Sequence, residues 1–396
     1  MSLPLPNPPP QASFATPSEP MALYIHWPFC VSKCPYCDFN SHVRAEIDTR
    51  AWRDALLSDL AHEAALNEGR TLGSIFFGGG TPSLMPPEIV AALIDAATGY
   101  WNPVADIEIT LEANPSSVEA ARFADIAAAG VNRVSLGLQS LDDEALHFLG
   151  RAHDVREGLA ALDVAQSVFD RVNFDLIYAR PGQSESEWES ELARGLSFGT
   201  GHLSLYQLTI EPGTRFATLV AQGKLTPADP DYGATLYEVT QAMTNAAGLP
   251  AYEISNHARP GQESRHNLTY WRYGDYAGIG PGAHGRRSGI ATLRHKKPEN
   301  WIGAVNRNGH GLQREDVLEP ADRAREALLM GLRLGEGIDL SRVARLSGLK
   351  IGELVDDGAV TRLCALDLLD SNGPLLRVKP AGMLLLDAIL PEIVAI

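Results

Sequence analysis

Residues 29–39 read FCVSKCPYCDF and hold three of the chain's four cysteines, Cys30, Cys34 and Cys37. Spacings of three and then two intervening residues let the three thiolates converge on one metal centre. Pro28 and Pro35 stiffen the segment, because a proline ring fixes its own backbone φ. Three thiols are one short of a closed tetrahedral zinc site. Asp38, His26, His42 or the remote Cys364 would have to complete it. An iron–sulfur cluster normally takes four cysteines, so three leave one iron open to an outside ligand. A reactive thiol pair is a third reading. The cysteines alone leave all three open.

Outward from this stretch, short β-rich runs alternate with helical ones. The strand candidates are ALYIHW (22–27), SIFFGG (74–79), IEITLEA (107–113), RVSLGLQ (133–139), VNFDLIY (172–178) and LSLYQLTI (203–210). Helical stretches such as TRAWRDALLSDLAHEAAL (49–66) and VREGLAALDVAQSV (155–168) fill the gaps. Ser116 followed by Glu119 is a capping-box start, and Gly130 ends the same helix. Six such units predict an α/β fold of parallel strands with right-handed crossovers. Six rather than eight predicts a partial (β/α)6 barrel with a wide mouth. The strands end in the cysteine loop, the glycines of 78–80 with Thr81, Glu112, Gln139 and Asp175. In barrels of this type the C-terminal strand ends carry the chemistry.

The chain has 396 residues, more than one core of roughly 250–300 residues would hold. The sequence divides into a Pro-rich lead-in (1–20), read as disordered, the barrel (21–250), a connecting region rich in glycine, histidine and aromatics (251–319) and a small domain (320–396). That last domain reads as mostly helical and winged-helix-like. A net charge of −16 argues against a sequence-independent nucleic-acid binder, which needs a basic face. No apolar run is long enough to span a membrane. The lead-in lacks the basic and apolar regions of a secretory signal. Clustered cysteines suit a reducing cytoplasm.

The next strand end, FFGGGTPS (76–83), bears on the cysteines. Glycines let a ligand approach the backbone and offer N–H donors. The two loops together resemble the radical SAM superfamily, in which a CxxxCxxC motif binds a [4Fe–4S] cluster and a GGG-type loop receives the methionine part of S-adenosylmethionine. The resemblance implies that the open iron chelates that cofactor and that one electron breaks a sulfur–carbon bond to give an adenosyl radical. Longer motifs, LYIHWPFCVSKCPYCDFNSH, TLEANP, VNRVSLGLQSLDDEALHFLGRAHD and NFDLIYARPGQ, are similar to the oxygen-independent coproporphyrinogen III oxidase family over nearly the whole chain. By that resemblance Tyr24 contacts the cofactor and Tyr36 packs near its adenine. Gly79, Gly80 and Thr81 form the methionine-binding loop, and Glu112, Gln139, Arg151 and Asp175 hold the cofactor.

Phe39 stands where the oxidase proper carries a further cysteine. That difference resembles the sister branch of heme chaperones, often called HemW. RHNLTYW (265–271) matches the HNxxYW motif associated with heme there, which makes His266 a candidate heme ligand. His257, His284 and Cys364 are rivals. The resemblance implies a chaperone that binds heme, the cluster and S-adenosylmethionine and delivers heme to apo-hemoproteins. The alternatives are an active oxidase that decarboxylates porphyrinogen propionates and a zinc-stabilised β/α protein. The sequence leaves open the electron donor, a homodimer and a peripheral membrane contact.

Overall fold

The computed structural model describes residues 19–44 and 46–396. Apart from its last two residues, the Pro-rich lead-in lies outside the described residues. The six expected strands are present as β1 (Met21–Trp27), β2 (Thr71–Gly79), β3 (Asn102–Ala113), β4 (Arg133–Gln139), β5 (Arg171–Tyr178) and β6 (His202–Gln207). They lie side by side in chain order, and every neighbouring pair is parallel. A parallel neighbour needs a crossover, and helices supply it. Both faces of such a strand are covered, which is why β1 is buried at six of its seven positions. Leu23, Ile25 and Trp27 pack outward under the helix Thr49–Leu66, against Trp52, Leu56 and Leu60. Tyr24 and His26 alternate to the inner face.

The barrel stays open. Beyond β6 runs β7 (Asn256–Ala258), antiparallel. Beyond β1 lies β8 (Tyr276–Ile279), parallel, and then antiparallel β9 (His284–Arg287), β10 (Ile290–Arg294) and β11 (Leu312–Val317). Residues 251–319, legible in sequence only as a connection, thus add strands to both edges of one eleven-stranded sheet. These strands run three to six residues, too short for a period-2 pattern to emerge. A buried polar centre docks them. Asp59, on the helix Thr49–Leu66, accepts from Arg294 Nε at 2.7 Å, Trp301 Nε1 at 3.1 Å and the Gly280 and Gly311 amides. Glu63, one turn on, takes Arg294 Nη2 at 2.9 Å. All three charged side chains are essentially inaccessible to solvent.

The C-terminal segment has its own core, built from Leu328, Leu332, Val343, Leu363, Leu376, Leu386 and Ile389. The helices Pro320–Gly331, Leu340–Ser347 and Asp357–Ala365 precede a hairpin, β13 (Leu369–Asn372) and β14 (Leu375–Val378). The hairpin takes up β12 (Ile338–Asp339) as a third antiparallel strand. Helices followed by such a hairpin are the elements of a winged helix. Cys364 packs against this core, apart from the other three cysteines.

Candidate cofactor site

The strand ends open into one cavity of about 1280 Å³. Cys30, Cys34, Cys37, Gly79, Gly80, Thr81, Glu112, Gln139, Arg151, Asp175 and Tyr36 all line it. Residues far apart in sequence are brought together because the loops after the strands and the last turns of the strands themselves, Glu112 and Gln139 at their ends and Asp175 three residues inside β5, open on one side of the sheet. Tyr24 is the exception among the expected cofactor residues. It is not in the cavity wall but on the inner face of β1, where its hydroxyl lies 3.0 Å from His26 Nδ1.

The cysteine loop is held from below and behind. His26 Nε2 sits 3.0 Å from the Asn40 carbonyl, and the Asn40 amide donates to the Pro281 and Lys296 carbonyls at 2.9 Å. Burial lowers the His26 pKa to about 4, so the ring stays neutral. Phe29 anchors the loop's start in the core, edge-on to Trp27 and Trp52. The loop is then zipped to the glycine loop: the Gly80 amide donates to the Trp27 carbonyl at 2.7 Å and the Thr81 amide to the Phe29 carbonyl at 2.8 Å. This contact, as much as ligand access, is what requires glycine. A Cβ on Gly80 would stand 2.6 Å from the Phe29 carbonyl oxygen, and one on Gly79, whose φ is +115°, would strike the His26 ring.

Three thiols face one cavity, and the other groups that would close a zinc site are largely engaged. His26 is buried with both nitrogens paired. His42 Nε2 lies 3.2 Å from Asn40 Oδ1, and Cys364 is in the second core. Asp38 alone of the four reaches the cavity wall. Three sulfur donors beside an open space suit a [4Fe–4S] cluster with one exposed iron, which Cys30, Cys34 and Cys37 would hold. When bound, that group supplies single electrons to a ligand on its open iron.

The opposite wall carries two buried carboxyl groups, Glu112 and Asp175. Burial and the charge of Asp175 push the Glu112 pKa up to about 8, and burial lifts Asp175 to about 6. Glu112 accepts from the Gly79 amide at 3.2 Å. Asp175 accepts from Asn173 at 3.0 Å and Ser135 at 3.4 Å. Two carboxylates this reluctant to ionise are suited to a cationic ligand, whose charge would repay their desolvation. The ammonium and sulfonium of S-adenosylmethionine are such charges. Gln139 adopts φ +69° at the end of β4, an uncommon backbone for a residue with a side chain, and one that clusters at functional sites.

Several wall residues escaped the sequence reading. Asn114 follows Glu112 with the period of two that puts both on one face of β3, and that alternation could have revealed it. Its amide joins Thr81 and Arg151. Tyr206, Tyr237, Met383 and Leu384 complete the wall on the side of β5 and β6. Met383 and Leu384 come from the C-terminal domain, which no local pattern connects to the barrel.

His266 lies elsewhere. The helix Arg265–Trp271 plugs the barrel floor. There the His266 amide and the Ser264 hydroxyl donate to Glu108, which also pairs with Arg171 at 2.8 Å. The ring is 1% exposed, with Nδ1 3.1 Å from the Ser74 hydroxyl and Nε2 2.8 Å from the Tyr270 hydroxyl. Burial drives its pKa down to about 3. The sequence expectation is that His266 offers an imidazole to heme; here the ring is turned into the floor. Both nitrogens are engaged and the cavity does not reach it, so in this conformation it is a structural residue of the floor. His257 is equally buried, with Nε2 3.2 Å from Gln241.

The comparisons with known proteins agree with this geometry. The family model for the radical SAM superfamily matches residues 24–193, and that for the HemN C-terminal domain matches 318–385. The chain is 43% identical to the mitochondrial radical S-adenosyl methionine domain-containing protein 1 of Bos taurus, over 81% of this chain and 75% of that protein. It is 40% identical to the heme chaperone HemW of Escherichia coli, over 80% and 83%, and 35% identical to that of Mycobacterium tuberculosis, over 94% of each. Among solved structures, the radical SAM enzyme coproporphyrinogen III oxidase (HemN) of E. coli superposes with a TM-score of 0.79 at 25% identity, covering 95% of this chain and 90% of the other. The chain belongs to the radical SAM superfamily, in the oxygen-independent coproporphyrinogen III oxidase-like family and its HemW branch.

Proposed function

We propose that this protein is a heme chaperone. It binds heme beside a [4Fe–4S] cluster and S-adenosylmethionine and delivers the heme to apo-hemoproteins. The observation that carries the reading is an apolar rim on the cavity. Val31 and Phe39 of the cysteine loop are 66% and 61% exposed, Val118 is 72% exposed, and Tyr206 and Leu384 stand open at the same mouth. Exposed apolar side chains gathered at one opening mark a binding surface. These come from four separate parts of the fold, and a flat macrocycle with apolar faces and polar edges suits them. The volume also exceeds the roughly 300–1,000 Å³ usual for a single small-molecule site, which leaves room beside cluster and cofactor. Relatives at 33–40% identity are named as heme chaperones.

A second reading is porphyrinogen oxidation, favoured by the expected cofactor residues that line the cavity and by the likeness to the oxidase structure. Charge weighs against it. The cavity wall carries seven acidic side chains against Lys33 and Arg151, and even with Glu112 protonated acids outnumber bases, a poor match for a tetracarboxylate substrate drawn wholly inside. Heme has fewer carboxylates and can leave them in solvent. Phe39 in place of the oxidase's further cysteine points the same way. Anaerobic incubation of reconstituted protein with coproporphyrinogen III, S-adenosylmethionine and a reductant separates the two. Protoporphyrinogen IX as product would defeat the chaperone reading, and unchanged substrate with tight heme binding is the expected result.

A further inference from the structure

We propose that Asn114 is a positioning residue for the cluster. It holds Arg151 in place and sets the direction of the Thr81 hydroxyl, so that the relay gives a hydrogen bond to each of Cys34 and Cys30. The inference rests on the reading that the three cysteines hold a cluster.

The argument is directional. An arginine guanidinium can only donate. Arg151 Nη2 reaches Asn114 Oδ1 at 2.7 Å and the Gly137 carbonyl at 3.0 Å, while Nη1 reaches Cys34 Sγ at 3.5 Å. The Asn114 amide oxygen must therefore face Arg151, since the rotated amide would set N–H against N–H. That orientation turns the Asn114 amide nitrogen to Thr81, where it donates to Oγ1 at 3.1 Å. The Thr81 hydroxyl, having accepted, has its single hydrogen left to donate to Cys30 Sγ at 3.6 Å. A relay thus runs from sulfur to sulfur, Cys34–Arg151–Asn114–Thr81–Cys30, with Asn114 as the only member that both accepts and donates through an amide. Its backbone is clamped in place. The Asn114 N–H donates to Glu119 at 2.8 Å, and Glu119 also takes the Ser83 hydroxyl, from the segment just past the glycine loop. Cys37 stands outside the relay; its partners are the Phe39 backbone and the Ser41 hydroxyl, the latter at 3.9 Å.

Hydrogen bonds to cluster sulfurs stabilise the more negative, reduced state and so raise the reduction potential. Asn114 thereby acts on cluster electronics without touching sulfur.

The test is an anaerobic EPR redox titration of the full chain, reconstituted with iron and sulfide, without S-adenosylmethionine. Wild type, Asn114→Ala, Thr81→Val and the double variant are compared. Asn114→Ala is expected to move the midpoint to a more negative potential. Adding Thr81→Val to it is expected to move it little further, because Asn114 acts through Thr81. A wild-type midpoint in Asn114→Ala, or fully additive shifts, overturns the proposal. If Asn114→Ala fails to retain iron, Asn114→Asp replaces it. That variant keeps an acceptor for Arg151 and loses the donor to Thr81. Its added charge acts whether or not Thr81 is present, so non-additivity with Thr81→Val still reports the lost donor, and additivity still overturns the proposal. A wild-type chain with no cluster signal would defeat the cluster reading itself, and this proposal with it.

Discussion

The Gly79 amide donates to Glu112 Oε2 across 3.2 Å, tying the glycine loop of β2 to the buried carboxyl at the end of β3. That one neutral donor does not offset the burial of the carboxyl and the nearby Asp175, and the Glu112 pKa rises to about 8.

A pH dependence follows, with a definite sign. A carboxyl whose folded pKa is raised from 4.5 to about 8 binds more protons folded than unfolded between those values. Its contribution to stability is fully present below about pH 4.5 and is lost as pH rises through about 8. Thermal melting of the cluster-free protein should show stability falling across that window, and Glu112→Gln should flatten the fall. A cationic ligand reverses the preference. S-adenosylmethionine affinity, read by calorimetry, should rise with pH toward about 8 in wild type and lose that slope in Glu112→Gln.

Gly80→Ala should damage the site through packing alone. The new Cβ would stand 2.6 Å from the Phe29 carbonyl oxygen, which is backbone and cannot swing aside. Overpacking of this kind costs about 1–3 kcal/mol. Here it also parts the two loops, so iron bound per chain after reconstitution should drop with the melting temperature.

Asp59→Ala should be among the most destabilising single changes. Arg294 would remain buried with Glu63 alone, and Trp301 and the Gly280 and Gly311 amides would lose their acceptor. Breaking a buried pair by removing one partner costs on the order of 3–5 kcal/mol. Urea unfolding measures it. A loss under about 1 kcal/mol would mean that this centre does not hold β8–β11 to the barrel.

Cys30→Ser, Cys34→Ser and Cys37→Ser should each abolish the cluster's visible absorption, whereas Cys364→Ser, in the second core, should leave it intact. Loss of the cluster in Cys364→Ser would reveal a fourth protein ligand and contradict the open iron.

Much of this was legible in the sequence, and for identifiable reasons. The six barrel strands are long and apolar, and their ends carry glycine, cysteine or charge. Both signals are local, so the parallel unit and the polar strand ends could be read from the residues, while the cofactor roles of those ends came from the family resemblance. The position of His266 was not legible because a motif states which residues travel together, not which end of a barrel they occupy. The helix that carries it closes the floor, away from the cysteines. Met383 and Leu384 were invisible for a related reason. They meet the cavity only because two cores pack side by side, and no spacing within either core records that. Asn114 lay in plain view two residues after Glu112. Its role depends on which way an amide faces, and only the contacts with Arg151 and Thr81 decide that.

The central claim is that heme binds at the apolar rim. Its most direct test is an anaerobic heme titration of the reconstituted protein, followed by absorbance, in wild type, Phe39→Ser and His266→Ala. Covering an exposed Phe completely is worth about 1.5–3 kcal/mol, so Phe39→Ser should bind heme about tenfold more weakly. His266→Ala should keep wild-type affinity while melting at lower temperature. Affinity unchanged in Phe39→Ser but lost in a folded His266→Ala would contradict the account and place heme at the barrel floor.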